Sequence, residues 1–200
     1  MFSNPVIAGS LGRPRRRIQS SFGHVVVSTL VIIRRERSTD IAASRAVQVA
    51  AFHDGDGEPV EAGLLDKLRE CDGWLPALSW VAEIDGQIVG HNVCTRGHVN
   101  NVPCVGLGPI GVMPKFQHSG VGSALMHAMV GAADAGGEPL IALLGSPAYY
   151  SKFGFVPSAD RGIAAPELAW GANFQVLPLT AWNDSITGSF RYAAPFDEVS

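Results

Sequence analysis

The fold of this chain is decided by residues 112–125, which read VMPKFQHSGVGSAL. The stretch predicts the end of a strand, a short polar turn containing Gly120 and Gly122, and the start of an amphipathic helix. A helix N-terminus carries backbone N–H groups without intrahelical partners and the positive end of the helix dipole. Glycine lets a ligand approach such a backbone closely. The turn therefore predicts an anion site suited to phosphate or pyrophosphate.

Two common nucleotide-binding motifs do not fit this turn. A Walker loop requires Gly-Lys-Ser/Thr, whereas Gly122 is followed directly by Ser123. A dinucleotide fingerprint requires a third glycine three residues after the second, where this chain has Leu125. The turn thus indicates a phosphate-bearing ligand that is bound in neither of these two ways.

The strand that precedes the turn is interrupted. It reads GLGPIGV over residues 106–112, and proline cannot donate to a sheet ladder. Pro109 therefore predicts either a bulge or an edge strand, and the residues alone leave both alternatives open. In a broken central strand, unpaired backbone groups need partners, and a ligand with amide groups would supply them as a surrogate strand.

The remaining pattern predicts a mixed α/β domain, because strands and helices alternate irregularly rather than in a doubly wound repeat. Apolar periodicity, turn residues and capping signals predict the following elements. They are a strand near 30–37, a helix from Ser38–Asp40 to Phe52, a helix over 60–71, hairpin strands at 79–84 and 87–93, a loop at 100–103, a strand over 105–112, a helix from Val121 to Gly136, a strand over 140–144, a short helix from Pro147, and strands after Phe155 and over 174–179.

Composition excludes several classes of protein. The chain has 200 residues, of which 46% are hydrophobic and 16% charged, as expected for one globular domain. A net charge of −3 argues against nucleic-acid binding, which requires a basic excess. Cys71, Cys94 and Cys104 are odd in number and lack C-x-x-C spacing, which favours a reduced cytoplasmic protein. No metal site is predicted, since the histidines lack ligand spacing and residues 54–58 fail the calcium-loop pattern.

The first 29 residues are expected to form a poorly ordered extension of a domain at 30–200. Basic residues at 13–17 and an apolar run at 25–33 superficially resemble a signal peptide. The run is too short to span a membrane, and Arg34 rather than a small-residue cleavage site follows it. We therefore expect a cytoplasmic protein that does not bind a membrane.

Two ordered motifs resemble those of the GCN5-related N-acetyltransferases, and of their small YhbS-like bacterial members in particular. The first reads LGPIGVMPKFQHSGVG at 107–122, and the second reads GSPAYYSKFGF at 145–155. A weaker match reads GSFRYAAPF at 188–196. The resemblance covers residues 30–196. It implies the acyl-CoA N-acyltransferase fold of α/β class, with a mostly antiparallel central sheet that is splayed at its two central strands and flanked by helices.

The same resemblance implies acetyl-CoA as co-substrate and no metal. The pyrophosphate would lie on backbone N–H groups of the turn, and the pantetheine amides would pair with the broken strand. Relatives place Arg or Lys where this chain has Ser119, so backbone donors would carry most of the phosphate binding. The implied cofactor-binding set is Ile110, Gly111, Val112, Gln117, His118, Ser119, Gly120, Val121, Gly122 and Ser123.

For catalysis, the resemblance points to Tyr150 as general acid, with Tyr149 as a weaker candidate. An amine that attacks a thioester expels a thiolate, which a proton donor assists. A phenol with an ordinary pKa of about 10 stays protonated at neutral pH and can donate. The backbone at Ile110 would polarise the carbonyl. Glu83, His91 or a water relay remain as candidates for the general base.

These expectations together describe an N-acetyltransferase in which a neutral primary amine attacks the thioester directly, without an acyl-enzyme. The acceptor would be a small molecule, an aminoacyl group or a protein amine, and the family allows a homodimer. The alternative is a non-catalytic acyl-CoA-binding or regulatory module on the same fold, because fold does not determine function.

Overall fold

The computed structural model of the protein describes residues 30–53, 55 and 57–198. The predicted extension at residues 1–29 lies outside the described residues. Among the described ranges, no helix has the length and apolar character needed to cross a membrane.

The described chain alternates strands and helices close to the predicted positions. In chain order the elements are β1 Val31–Arg35, α1 Ile41–Phe52, α2 Val60–Glu70, β2 Trp80–Ile84, β3 Gln87–Val99, β4 Val102–Val112, α3 Val121–Ala135, β5 Leu140–Leu144, α4 Pro147–Tyr150, β6 Val156–Pro157, β7 Ile163–Ala164, β8 Phe174–Pro178 and β9 Gly188–Arg191.

The central sheet has the strand order β1-β2-β3-β4-β5-β8-β6, with β9 paired to β3 and to β7. Along the main path every pair is antiparallel except β4 and β5. The parallel pair has only two positions in register, Val105 with Ile141 and Gly106 with Ala142. Beyond Gly106 the two strands diverge, so the expected sheet, splayed at its two central strands, is confirmed.

The helices cover both faces of this sheet. Val81 and Ala82 are adjacent in β2, so their side chains point to opposite faces. Val81 packs with Val47 of α1, whereas Ala82 packs with Val121 of α3. We call these sides the α1 face and the α3 face; α2 also lies on the α1 face.

One local prediction was wrong. Residues 100–103 are not a loop, because the turn is confined to Asn100 and Asn101 and β4 already begins at Val102. Asn100 adopts φ 51°, a left-handed conformation that asparagine tolerates. Pro103 fits within β4 because β5 does not pair with this strand before Val105.

The helix start signal predicted at Ser38–Asp40 is confirmed, because α1 begins at Ile41. Ser38–Asp40 form a turn of 3-10 helix, and the Asp40 side chain does not cap α1. The Asp40 carboxylate instead accepts the backbone N–H of Arg37 at 2.8 Å and pairs with Arg34 at 2.6 Å. It therefore ties the end of β1 to the beginning of the helix.

The apolar core has a part on each face of the sheet. On the α3 face, Leu107, Met126, Met129, Ile141 and Phe155 pack together. The α1 face holds one cluster around Leu65, Leu68 and Val93 and another around Cys104, Phe174 and Phe190. The four tryptophans pack against these clusters.

A network of buried polar side chains joins α1, α2 and the sheet. The Glu36 carboxylate pairs with Arg69 and accepts the Ser79 hydroxyl at 2.7 Å. His91, 0% exposed, lies between Ser79 and Gln48. Burial would raise the pKa of Glu36, but the side-chain donors His91, Ser44 and Ser79 lower it below its usual range. Burial lowers the pKa of His91, so the imidazole is neutral.

We expect Arg69→Met to lower the free energy of unfolding by about 3–5 kcal/mol, because Glu36 would stay buried without its cation. Urea denaturation near neutral pH measures this. The difference in unfolding free energy between the parent and Arg69→Met should shrink as the pH falls below 4.5, the ordinary pKa of the Glu36 carboxyl. A carboxylate whose pKa is lowered in the folded protein contributes stability only while it is ionised.

The matched control is Lys67→Met, which breaks the exposed pair with Glu198. Exposed pairs contribute at most about 1 kcal/mol, so this variant should unfold almost as the parent does. Equal destabilisation by both substitutions would contradict a special role for the buried pair.

Candidate functional site

The interruption in β4 is a bulge in a central strand. Asn92 of β3 lies opposite Ile110, and Cys94 lies opposite Leu107. Only one residue of β3 therefore faces the pair Gly108-Pro109. The edge-strand alternative is wrong, because β4 has β3 on one side and β5 on the other.

The divergence of β4 from β5 creates an opening in the sheet. After Gly106, β4 remains paired with β3 through Val112 but has no partner on its β5 side among the described strands. The backbone around Ile110 and Val112 thus borders the opening, while Gly111 packs against Gln48 of α1. Backbone polar groups in such a position are available to a ligand.

The turn between β4 and α3 lies at one end of this opening. His118 and Gly120 adopt φ 60° and 93°, and no side chain caps α3. Gln117 donates its side-chain amide to the Val112 carbonyl at 3.1 Å, and Ser119 donates its hydroxyl to the Phe116 carbonyl at 2.5 Å. These bonds stabilise the turn and leave the first N–H groups of α3 without side-chain acceptors.

A cation from a distant part of the chain lies beside this helix terminus. Lys152 donates to the Ser123 hydroxyl at 3.2 Å and lies 4.0 Å from the centre of the Tyr149 ring. The Tyr149 hydroxyl lies close to the backbone of Gly122, since it would be 2.9 Å from a Cβ atom at that residue. Lys152 was not predicted as a site residue from the sequence, although it stands within the second motif.

Tyr150 follows β5 and lies on the α3 face beside the opening. Its ring is packed so closely on Gly145 that a Cβ at residue 145 would overlap it. It also makes edge-to-face contacts with Tyr149 and Phe155, whose ring centres lie 4.9 Å and 5.9 Å from its own. Burial raises the pKa of Tyr150 to about 12, so the phenol is protonated at neutral pH.

The two candidate bases lie away from the opening. Glu83 pairs with Arg34 at 2.8 Å on the outer part of the sheet. His91 is enclosed on the α1 face, where its Nδ1 lies 2.9 Å from the Gln48 amide nitrogen. Neither side chain is free to accept a proton from a group between β4 and β5.

The two buried cysteines do not provide a nucleophile. Cys94 and Cys104 are buried, and burial raises the pKa of both thiols, that of Cys104 to about 12. They are therefore uncharged and inert at neutral pH. Within the part of the chain that the structure describes, no group of His, Cys, Asp and Glu could hold a metal ion.

Comparison with known proteins extends the similarity beyond the motifs. Residues 76–157 match the family model described as "Acetyltransferase (GNAT) domain". The chain is 33% identical over 165 residues to the uncharacterized N-acetyltransferase YjhQ of Escherichia coli (strain K12), covering 78% of this chain and 89% of that protein.

Two solved structures share the architecture over most of their length. The CoA complex of YhbS from Escherichia coli has a TM-score of 0.77 and 28% identity, covering 88% of this chain and 96% of that one. A GNAT family acetyltransferase from Brucella melitensis, in complex with acetyl-CoA, has a TM-score of 0.68 and 31% identity, covering 84% and 99%. These similarities confirm the predicted fold.

We expect Gly145→Ala to lower stability by about 1–3 kcal/mol, because the new methyl group would overlap the Tyr150 ring and force it to move. Thermal or urea unfolding measures the change, and near-ultraviolet circular dichroism reports the displaced tyrosine.

Gly131→Ala is the matched control, since it lies within α3 with open space around it. This substitution should stabilise the protein by about 0.5–1 kcal/mol. A stable Gly145→Ala protein with an unchanged tyrosine signal would contradict the close packing of Tyr150 on Gly145.

Proposed function

Because this chain belongs to the GCN5-related N-acetyltransferase family, we propose that it transfers the acetyl group of acetyl-CoA to a primary amine by direct attack. The observation that carries the proposal is the opening between β4 and β5, which connects the uncapped start of α3 with Tyr150. YjhQ is named as an N-acetyltransferase, and the two similar structures hold CoA or acetyl-CoA.

The proposed cofactor site follows the turn and the unpaired side of β4. Backbone N–H groups at the start of α3 bind the pyrophosphate, because the helix terminus offers donors and positive potential. The pantetheine amides pair with β4 in the place that β5 vacates. The proposed contacts are Ile110, Gly111, Val112, Gln117, His118, Ser119, Gly120, Val121, Gly122 and Ser123.

Lys152 completes the phosphate site. Ser119 carries no charge where relatives have a cation, and its hydroxyl is already bonded to the Phe116 carbonyl. Lys152 reaches the same helix terminus from the segment after α4 and contacts Ser123. Its ammonium therefore supplies the charge that the turn lacks, in addition to the backbone donors.

The chemistry that we propose uses Tyr150 as the proton donor. Acetyl-CoA supplies a thioester, the amine nitrogen forms the new bond to the carbonyl carbon, and the carbon–sulfur bond breaks. Tyr150 donates its proton to the departing sulfur, and water carries the proton that the amine loses back to Tyr150. The high pKa of Tyr150 keeps the phenol protonated at neutral pH.

We propose that no side chain serves as the general base. Glu83 is bound to Arg34, and His91 is enclosed among polar partners on the α1 face. The neutral form of the amine is then the reactive species, and water accepts the proton of any ammonium beforehand.

The cytoplasm is the proposed location, consistent with the free state of Cys71, Cys94 and Cys104.

We expect Lys152→Gln to weaken acetyl-CoA binding about tenfold, because one charge-assisted contact to phosphate is lost. Isothermal titration calorimetry measures the affinity. Lys67→Gln, which removes a distant exposed cation, is the matched control and should bind as the parent does. The difference in acetyl-CoA affinity between these two variants should become smaller as ionic strength rises, because salt screens the ammonium charge.

We expect Tyr150→Phe to lower kcat about 100-fold while acetyl-CoA affinity changes little, because the proton donor is lost and the ring is kept. Release of free CoA thiol with a panel of primary amines measures turnover. Tyr149→Phe is the control and should retain most of kcat. The parent protein should show no loss of kcat between neutral pH and about pH 10, since the pKa of Tyr150 is about 12.

Unchanged kcat in Tyr150→Phe would remove the proposed role of this tyrosine. Binding of acetyl-CoA without thiol release over a broad amine panel would leave an acyl-CoA-binding module. Failure to bind any CoA ester would overturn the proposed function.

A further inference from the structure

The opening between β4 and β5 has a closed end, where the two strands begin to diverge. Gly106 and Ala142 are the last paired positions. The residues that follow them, Leu107 and Leu143, are 4% and 1% exposed and pack in one apolar cluster on the α3 face. Buried leucines therefore close the α3 side of the opening at its first level beyond the paired positions.

An aromatic ring covers the same end on the α1 face. The Tyr192 ring lies against the backbone of Gly106, since it would be 2.8 Å from a Cβ atom at that residue. The centre of this ring lies 4.5 Å from that of Phe196 and 4.7 Å from that of Phe190. These two aromatic contacts hold the Tyr192 ring in place over β4.

The residues around the covered position are small. Gly106 pairs with Thr95 of β3 on one side and with Ala142 of β5 on the other. Directly paired residues project to the same face of a sheet. The Tyr192 ring thus lies at the centre of a row without large side chains, and its removal would leave space over Gly106.

A second tyrosine, Tyr150, flanks the closed end from the side of β5. Its ring packs on Gly145, which directly follows β5. Burial raises the pKa of Tyr192, and the nearby Tyr150 raises it further. The two hydroxyls therefore lie near each other, and both phenols are uncharged at neutral pH.

The backbone of β4 leads from the proposed pyrophosphate site to this closed end. The Met113 N–H bonds to the Val89 carbonyl of β3. Because successive residues of an antiparallel strand point their N–H groups to alternate sides, Ile110 and Val112 present theirs to the opening. The CoA chain between pyrophosphate and sulfur has about as many atoms as four extended residues. Its sulfur therefore reaches the level of the bulge at Gly108-Pro109.

We infer that Tyr192 sets the length of the acyl group that the protein accepts, an inference that rests on the proposed function. A thioester at the level of the bulge directs its acyl group toward Leu107 and Gly106. An acetyl group ends before the Tyr192 ring, whereas further methylenes must enter space that this ring and the two leucines occupy. Tyr192 is thus a specificity-determining residue that favours acetyl-CoA over longer acyl-CoA esters.

Binding of CoA esters tests this inference without an acceptor. Calorimetry with acetyl-CoA, propionyl-CoA and butyryl-CoA gives a dissociation constant for each chain length. The parent should bind butyryl-CoA at least about tenfold more weakly than acetyl-CoA, because a closed apolar site discriminates by about tenfold or more for an added methylene. Propionyl-CoA should lie between the two.

Variants assign this preference to the ring. Tyr192→Ala should bring the dissociation constants of acetyl-CoA and butyryl-CoA to within about threefold, through tighter binding of butyryl-CoA. Tyr192→Leu keeps more of the apolar packing and should shift the preference in the same direction. Tyr192→Phe keeps the ring and should retain the preference of the parent. Trp182→Ala, which truncates another aromatic side chain packed on the same apolar cluster, is the matched control and should also retain it.

The outcomes separate this inference from the proposed function. Equal affinity of the parent for acetyl-CoA and butyryl-CoA, or an unchanged preference in folded Tyr192→Leu, would overturn the inference and leave the proposed acetyl transfer intact. A preference that Tyr192→Leu relaxes, without thiol release from any amine, would support the inference and contradict catalysis. Failure of the parent to bind any CoA ester would overturn both.

Discussion

The divergence of β4 from β5 after Gly106 is the constraint on which the remaining features depend. β4 stays paired with β3 along its whole length, so it cannot follow β5 once the two strands separate. The bulge at Gly108-Pro109 lies in the first part of the separated segment. Because the parallel register ends after two positions, a stretch of central strand has backbone groups available on one side. Such groups normally pair with another strand or with a ligand.

The opening gives each face of the sheet a different chemical role. The start of α3, Lys152 and Tyr150 lie on or near the α3 face, where we propose phosphate binding and proton donation. Thr95 and Tyr192 lie on the α1 face, where the Tyr192 ring packs on Gly106. The buried pair of Glu36 and Arg69 stabilises the same face by joining α2 to the end of β1.

Local sequence patterns predicted the elements of the fold well. Short-range preferences act at three places. Asp85-Gly86 forms the turn between β2 and β3, Gly136-Gly137 ends α3, and the apolar run at 140–144 forms β5. The same applies to the turn at 117–122, because backbone donors at a helix start follow from local geometry. The Asn100-Asn101 turn was missed, since a two-residue turn and a longer loop share the same residue types. The short strands β7 and β9 were missed because their pairing is entirely long-range.

The sequence by itself determined the glycine turn for which we propose phosphate binding, the broken strand and the tyrosine after β5, because each follows from neighbouring residues and a shared motif. Only the tertiary structure decided that Pro109 marks a bulge, since that depends on whether a strand lies on both sides of β4. Only in the folded chain does Lys152 contact Ser123 and Glu83 pair with Arg34, and only there is His91 enclosed. The tertiary structure also brought Thr95, Gly106 and Tyr192 together. These contacts join residues far apart in the chain, and no local preference encodes such distances.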